Sequence, residues 1–259
     1  MDAVHVVGAG GIGIAVGYAL RAAGVPVVFV EANRRKIDMA RRIRLRVSCR
    51  PERRFSCPAA DDFSDFVPFG DWQPVPGGWV LLCTKCYDNA AVLERLTVPV
   101  RLLPIQNGFD PQLAAHGHDF EGIASFVSEA GPNSPTTRIT RDGDLHLGWR
   151  SPGMEGYDEL TELARALHKC GLFKVKVVPR IEPIKYAKLM YNAAISPLAA
   201  AAGIDNGQLL SVPVARRLFF AMLQENYAIL KTSNIELGKV GRSTRGRWRG
   251  FYGGADSRR

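Results

Sequence analysis

The sequence predicts an α/β domain over residues 1–180 followed by a smaller, all-helical domain over residues 181–259. Three observations predict it. The first thirty residues read as an apolar run, a glycine turn, a helical segment and a second apolar run. Further short apolar runs at 79–83, 98–105, 123–127 and 173–178 recur between helical segments, the pattern of a mostly parallel sheet. After Val178 no strand pattern returns, only helical periodicity.

The opening run is Ala3-Val4-His5-Val6-Val7 and the turn is Gly8-Ala9-Gly10-Gly11-Ile12-Gly13. A helix is expected from Ile14 to Ala23, closed by Gly24, and a strand over 25–30. This is the strand–turn–helix–strand setting in which GxGxxG signifies a Rossmann-type dinucleotide site. Gly8 permits the tight turn, Gly10 lets the backbone approach a pyrophosphate, and Gly13 lets helix and strand pack closely. The helix N-terminus offers free N–H groups to phosphate, and Gly11 and Ile12 of the turn are counted with the cofactor-binding residues. Glu31 ends the second run, where an acid can hydrogen-bond a ribose 2′-hydroxyl. Arg34, Arg35 and Lys36 follow, where a 2′-phosphate would sit. Glu31 therefore favours NADH and the cations favour NADPH.

A helix is expected after Ala32-Asn33-Arg34-Arg35-Lys36, running through Arg46, then an irregular stretch over 49–78 rich in proline, with a strand around 63–69. The run 79–83 ends in Thr84-Lys85, and the run 98–105 ends in Gln106-Asn107-Gly108. Ligands bind beyond the carboxyl ends of parallel strands, so Thr84, Lys85 and Asn107 are candidate site residues. A helix joins these runs over 88–96. Gly131-Pro132-Asn133-Ser134-Pro135 is a turn, and 136–139 and 144–149 are short strands, read as a hairpin across Arg141-Asp142-Gly143. Tyr157 to Lys169 alternates at helical spacing, and 173–178 is the last strand. Residues 184–202 are helical with an interruption at Ser196-Pro197, and 214–232 form a long amphipathic helix.

Composition bounds the function. Hydrophobic content of 46% with 23% charged residues is that of a globular chain, not a disordered one. No apolar run reaches the length of a membrane span, and no basic leader precedes the first strand, so a cytoplasmic protein is expected. Five cysteines, an odd count, do not suggest a disulfide framework. Cys83-Thr84-Lys85-Cys86 has CxxC spacing but no second pair, so it is read as small side chains at a strand end. His116 and His118 lack the acids or thiols that would complete a metal site. The net charge of +9 sits mostly in 34–54 and 239–259. The tail Arg245-Gly246-Arg247-Trp248-Arg249-Gly250-Phe251-Tyr252 interleaves arginine with aromatics, as an RNA-binding arm would. A frayed tail is the simpler reading, and no nucleic-acid partner is expected.

One segment adds a resemblance. Lys188-Leu189-Met190-Tyr191-Asn192-Ala193-Ala194-Ile195-Ser196-Pro197-Leu198 resembles the K-L-x-x-N-x-x-x-N-P-L helix of ketopantoate reductases (2-dehydropantoate 2-reductases). Gly203 to Leu210 resembles the loop that follows it, and the glycine turn, Thr84-Lys85 and Gln106-Asn107-Gly108 fall in the family's order. The resemblance implies reduction of a small 2-oxo acid by NADPH or NADH in a cleft between two domains, with a place in pantothenate biosynthesis. It implies Lys188 as general acid, with Asn107 and Asn192 as substrate-binding residues. Ser196 stands where the family has a second asparagine, and Lys85 matches a lysine near the adenosine phosphate. The implied partners are a 2-oxo acid and a second copy in a homodimer, with no membrane.

The sequence departs from the family in two places. Ala32 replaces the usual arginine after the second strand, with Glu31 before it. After Gly238 the chain does not match the family's S-S-M-x-x-D and G-R-x-T-E-I-D segments, which supply a substrate-binding serine and a glutamate. A shortened relative with a different substrate, or one that binds a dinucleotide without turnover, is the alternative these departures raise.

Overall fold

The computed structural model describes residues 2–43, 45–49, 53–55, 66–151 and 157–239. The arginine–aromatic tail, Pro51, Pro58 and the start of the strand expected at 63–69 lie outside the described residues.

The first sheet is parallel. It comprises β1 (Val4–Val7), β2 (Val27–Glu31), β5 (Phe66–Pro68), β6 (Trp79–Leu82) and β7 (Arg101–Pro104), in the order β5-β2-β1-β6-β7. Both faces are covered, which is why its strands read as unbroken apolar runs. Val4 and Val6 join a core shared with helices α1 (Gly11–Ala22) and α5 (Tyr157–Lys169). Val7, Val30, Val80 and Leu82 face the other way, onto Trp72, Val92 and Leu113. His5 shares that second face; its Nδ1 accepts the Trp72 Nε1–H at 2.9 Å, and burial lowers its pKa.

Three smaller helices complete this layer: α2 (Arg34–Ala40), α3 (Asn89–Leu93) and α4 (Pro111–His116). The helix expected through Arg46 stops at Ala40. The chain re-enters a sheet at β3 (Arg46–Cys49), where Val47 and Cys49 are buried and Arg46 is exposed. That alternation has a period of two, which ends a helix and supports a strand. Helix α1 begins at Gly11, three residues before the expected start, because Gly10 serves as its N-cap.

The hairpin expected across Arg141-Asp142-Gly143 is not formed. Strands β8 (Phe120–Ala124) and β9 (Val127–Ala130) run antiparallel to β11 (Asp144–Trp149) and β10 (Thr136–Arg141) respectively. The chain reverses at Gly131–Pro135 instead, and residues 141–143 are a kink within one long returning arm. A register shift between Ile139 and Arg141 marks it. The kink moves the ribbon from one sheet to another. β9 and β10 lie with β3 and β4 (Arg53–Phe55) in a four-stranded sheet, while β8 and β11 lie with β12 (Lys174–Val178) in a three-stranded one. Ser125 clasps the crossing: its N–H donates to the Asp144 carbonyl at 2.8 Å, and its Oγ accepts the Asp144 N–H at 2.7 Å. A parallel bridge from Ile105 to Gly122 joins β7 to β8, so the three-stranded sheet extends the first.

The helical part follows β12. Helix α6 (Glu182–Ala202) is continuous through Ser196-Pro197, where an interruption was expected. Proline removes the bond to the carbonyl four residues back, that of Ala193, which is solvent-exposed and so loses little. Gly203 ends α6 in the left-handed region at φ 65°. Helix α7 (Asn206–Ser211) starts with a capping box between Asp205 and Gln208, and α8 (Pro213–Thr232) packs back on α6. Met190, Ala194, Ile195, Leu209, Phe219 and Leu223 form this part's own core.

Candidate active site at the carboxyl edge of the sheet

The glycine turn occupies the carboxyl end of β1. Gly8 has φ +95°, and a Cβ there would stand 2.8 Å from the Thr84 backbone nitrogen. A Cβ on Gly13 would collide with the Gly8 carbonyl oxygen, and one on Gly11 would press on Ser128. A Cβ on Gly10 would meet nothing within 4 Å. The second glycine alone therefore leaves open space above the backbone. Gly10 also caps α1 without a side-chain hydrogen bond, and the helix start at Gly11, Ile12 and Gly13 carries no acid. An open backbone approach at an uncapped helix N-terminus fits the pyrophosphate of a dinucleotide.

Glu31 lies beside this turn and is already engaged. Its Oε1 accepts the Asn33 N–H at 2.9 Å, and its Oε2 accepts Lys36 Nζ at 3.0 Å. Lys36 Nζ also donates to the Ala9 carbonyl of the turn at 3.0 Å. Lys36 is thus buried, whereas Arg34 and Arg35 are exposed.

The neighbouring strand ends are tied by Gln106, which is buried where Asn107 is exposed. Gln106 Nε2 donates to the Thr84 carbonyl at 3.0 Å and to Asn89 Oδ1 at 2.7 Å. Asn89 Nδ2 returns a bond to Gln106 Oε1 at 3.1 Å and another to Asp110 Oδ2 at 2.6 Å. Position in the sequence does not separate Asn107, the expected site residue, from Gln106, since both follow the same buried run; it is Gln106 that holds the strand ends together. Thr84 is half-buried against the turn and Lys85 is exposed. Burial pushes the Cys83 thiol up to about 12, so it is no thiolate for redox or metal chemistry. Among the described residues no cluster of three His, Cys, Asp or Glu could hold a metal ion.

Helix α6 brings the remaining residues. The Ile105–Gly122 bridge sets Asn107 and Ala124 two residues further along adjacent parallel chains. Lys188 Nζ donates to the Ala124 carbonyl, so its amine sits at the same sheet edge as Asn107. Burial, then the charge of Arg141, lowers the Lys188 pKa to about 8. Asn192 is half-buried one turn along α6, and Ser196 is exposed one turn further.

The foot of α6 is locked to the sheet by a cluster of residues distant in sequence. Lys185 Nζ donates to Glu121 Oε2, and both residues are almost fully buried. His118 Nε2 lies 2.9 Å and Arg150 Nε 3.4 Å from Glu121 Oε1. Burial alone would raise the Glu121 pKa, but the His118 hydrogen bond and the Lys185 charge outweigh it and hold the carboxyl below its usual range. Lys185 also lies 4.7 Å from the centre of the Phe109 ring, which stacks on Tyr186 at 4.5 Å. In sequence Lys185 is one more polar residue on the α6 face that carries Lys188 and Asn192, so nothing sets it apart from them. A cleft of about 950 Å³ lined by Arg101, His116, His118, Asp119 and Glu159 opens at the amino ends of β7 and β8; it touches this cluster through His118, but neither the glycine turn, Asn107 nor Lys188 lines it.

The profile of the family "Ketopantoate reductase PanE/ApbA" matches residues 4–131, and that of "Ketopantoate reductase PanE/ApbA C terminal" matches residues 180–245. The chain belongs to the ketopantoate reductase PanE/ApbA family. A 2-dehydropantoate 2-reductase of Pyrobaculum aerophilum is 29% identical over 154 residues, covering 57% of this chain and 49% of that protein. One from Listeria innocua is 27% identical over 157 residues, covering 55% and 47%. The chain thus spans about half the length of the curated relatives it matches. Among solved structures, a PanE/ApbA family ketopantoate reductase from Ralstonia eutropha superposes with TM-score 0.72 at 20% identity, covering 92% of this chain and 76% of that one. D-mandelate dehydrogenase bound to NADH and anilino(oxo)acetate superposes with TM-score 0.75 at 16% identity, covering 91% and 75%. At these identities the likeness is one of fold: an α/β part followed by a helical part.

Proposed function

We propose that the protein reduces a small 2-oxo acid, ketopantoate or a close relative, to the 2-hydroxy acid with NADPH or NADH. The observation that carries this reading is Lys188: a half-buried amine at the carboxyl edge of the sheet, with its pKa brought down to about 8. Reduction of a ketone builds negative charge on its oxygen. An ammonium beside that oxygen stabilises the charge and can give up its proton, most effectively when its pKa lies near working pH.

A bound reduced dinucleotide would supply the hydride to the carbonyl carbon. The residues that would hold it are Gly8, Gly10, Gly11, Ile12 and Gly13 at the phosphates, with Thr84, Lys85, Glu31 and Arg34 around them. Lys188 transfers a proton from Nζ to the carbonyl oxygen, completing the hydroxyl, and regains one from solvent. Asn107 and Asn192 offer amide groups to the substrate from the strand end and from α6, and Ser196 lies at the outer margin. Support also comes from the relatives named 2-dehydropantoate 2-reductase, and from a fold neighbour whose ternary structure holds NADH and an oxo acid derivative.

The test is a screen of both dinucleotides against 2-oxo acids of increasing size, following cofactor oxidation. Oxidation that depends on the oxo acid is expected. Tight dinucleotide binding without oxidation across the panel would favour the alternative, a protein that binds the cofactor without this turnover.

A further inference from the structure

We propose that Lys36 sets the choice of dinucleotide by cancelling the charge of Glu31, so that the site accepts a 2′-phosphorylated cofactor. This rests on the reading of the glycine turn as the dinucleotide site. An acid at the end of the second strand normally takes the ribose 2′-hydroxyl and repels a 2′-phosphate, while a nearby arginine accommodates the phosphate. Glu31 stands at that place in the chain but is not free to act alone. Both of its oxygens are occupied, by the Asn33 N–H and by Lys36 Nζ, and its side chain is 11% exposed.

Lys36 is held in turn. Its Nζ bridges Glu31 to the Ala9 carbonyl of the glycine turn, and the residue is 8% exposed. Asn33 fixes the helix that presents it. The Asn33 side chain accepts the N–H groups of Arg35 and Lys36 at 3.0 and 3.3 Å, and its amide reaches the Pro132 carbonyl at 3.0 Å. The pair is therefore neutral at short range. The nearest uncancelled charges on α2 are Arg34 and Arg35, both exposed. A 2′-phosphate arriving here would face a neutralised acid at the start of a helix that carries the exposed Arg34 and Arg35, not a bare carboxylate. The charge signs that conflict in the linear sequence are reconciled because Lys36 pairs inward.

The experiment measures the dissociation constants of NADPH and NADH at one fixed ionic strength for the wild type, Lys36→Met and the double variant Glu31→Gln/Lys36→Met. The wild type is expected to bind NADPH at least as tightly as NADH. Lys36→Met exposes the Glu31 charge and should weaken NADPH by about tenfold or more while NADH changes by less than about threefold. The double variant should regain most of the NADPH affinity. A wild type that prefers NADH by more than about tenfold, equal losses for both cofactors in Lys36→Met, or no recovery in the double variant would overturn the proposal. Failure of the wild type to bind either dinucleotide would instead overturn the reading of the site, and this inference with it.

Discussion

Lys188 and Ala124 join the two parts of the molecule at the point where chemistry is proposed: the amine of the helix donates to the last carbonyl of β8. The bond holds the ammonium at the sheet edge, where no acid among the described residues forms an ion pair with it. Burial and the like charge of Arg141 then lower its pKa to about 8.

A pH profile follows from that. Proton donation needs the charged amine, so turnover in the reducing direction should be flat below the lowered pKa and fall about tenfold per unit above it. Oxidation of the hydroxy acid needs the neutral amine and should rise through the same range. Arg141→Gln removes a like charge and should move both limbs to higher pH. A profile that stays put in Arg141→Gln would contradict the assigned cause.

The glycine turn gives a paired prediction. Gly13→Ala places a methyl against the Gly8 carbonyl and should destabilise the fold by about 1–3 kcal/mol or more. Gly10→Ala meets no protein atom within 4 Å, so its thermal midpoint should change little, the cap preference being worth about 1 kcal/mol at most. Its dinucleotide affinity should nevertheless collapse. Thermal melts and cofactor titrations on the two variants check this, and intact binding in Gly10→Ala would count against phosphate approach at that residue.

Glu121 is expected to matter for stability. Glu121→Gln leaves the buried Lys185 ammonium without its counter-charge, at a cost of about 3–5 kcal/mol. Because the folded carboxyl titrates below its ordinary value, its contribution is present above the usual carboxylate range of about 4.3 and fades as pH falls through the lower folded value. Chemical denaturation of wild type and variant across acid pH should converge at the acid end. A constant gap down to the lowest pH would sink the assignment.

What the sequence revealed, and what it hid, follows the range of the forces involved. The tasks expected of Gly8, Gly10 and Gly13 are local: Gly8 and Gly13 are crowded as a tight turn and close helix–strand packing require, and Gly10 has open space beside it. Helix α5 was legible because its apolar face repeats at helical spacing over thirteen residues. The long β8-β9 and β10-β11 ribbon was not, since Arg141-Asp142-Gly143 has the composition of a turn. Only its pairing with residues 125–126 makes it a kink. Lys185 and Glu121 are 64 positions apart, so no window along the chain joins them. Glu31 and Lys36 lie close in sequence, but their pairing depends on a helix bound, Asn33, that the sequence left open.

The central claim is that the Lys188 amine protonates the substrate oxygen. Its most direct test is turnover by Lys188→Met with the cofactor and oxo acid that the wild type uses, alongside the cofactor dissociation constant. The expected result is a loss of about a hundredfold or more in kcat with cofactor binding unchanged. Turnover equal to the wild type would contradict it.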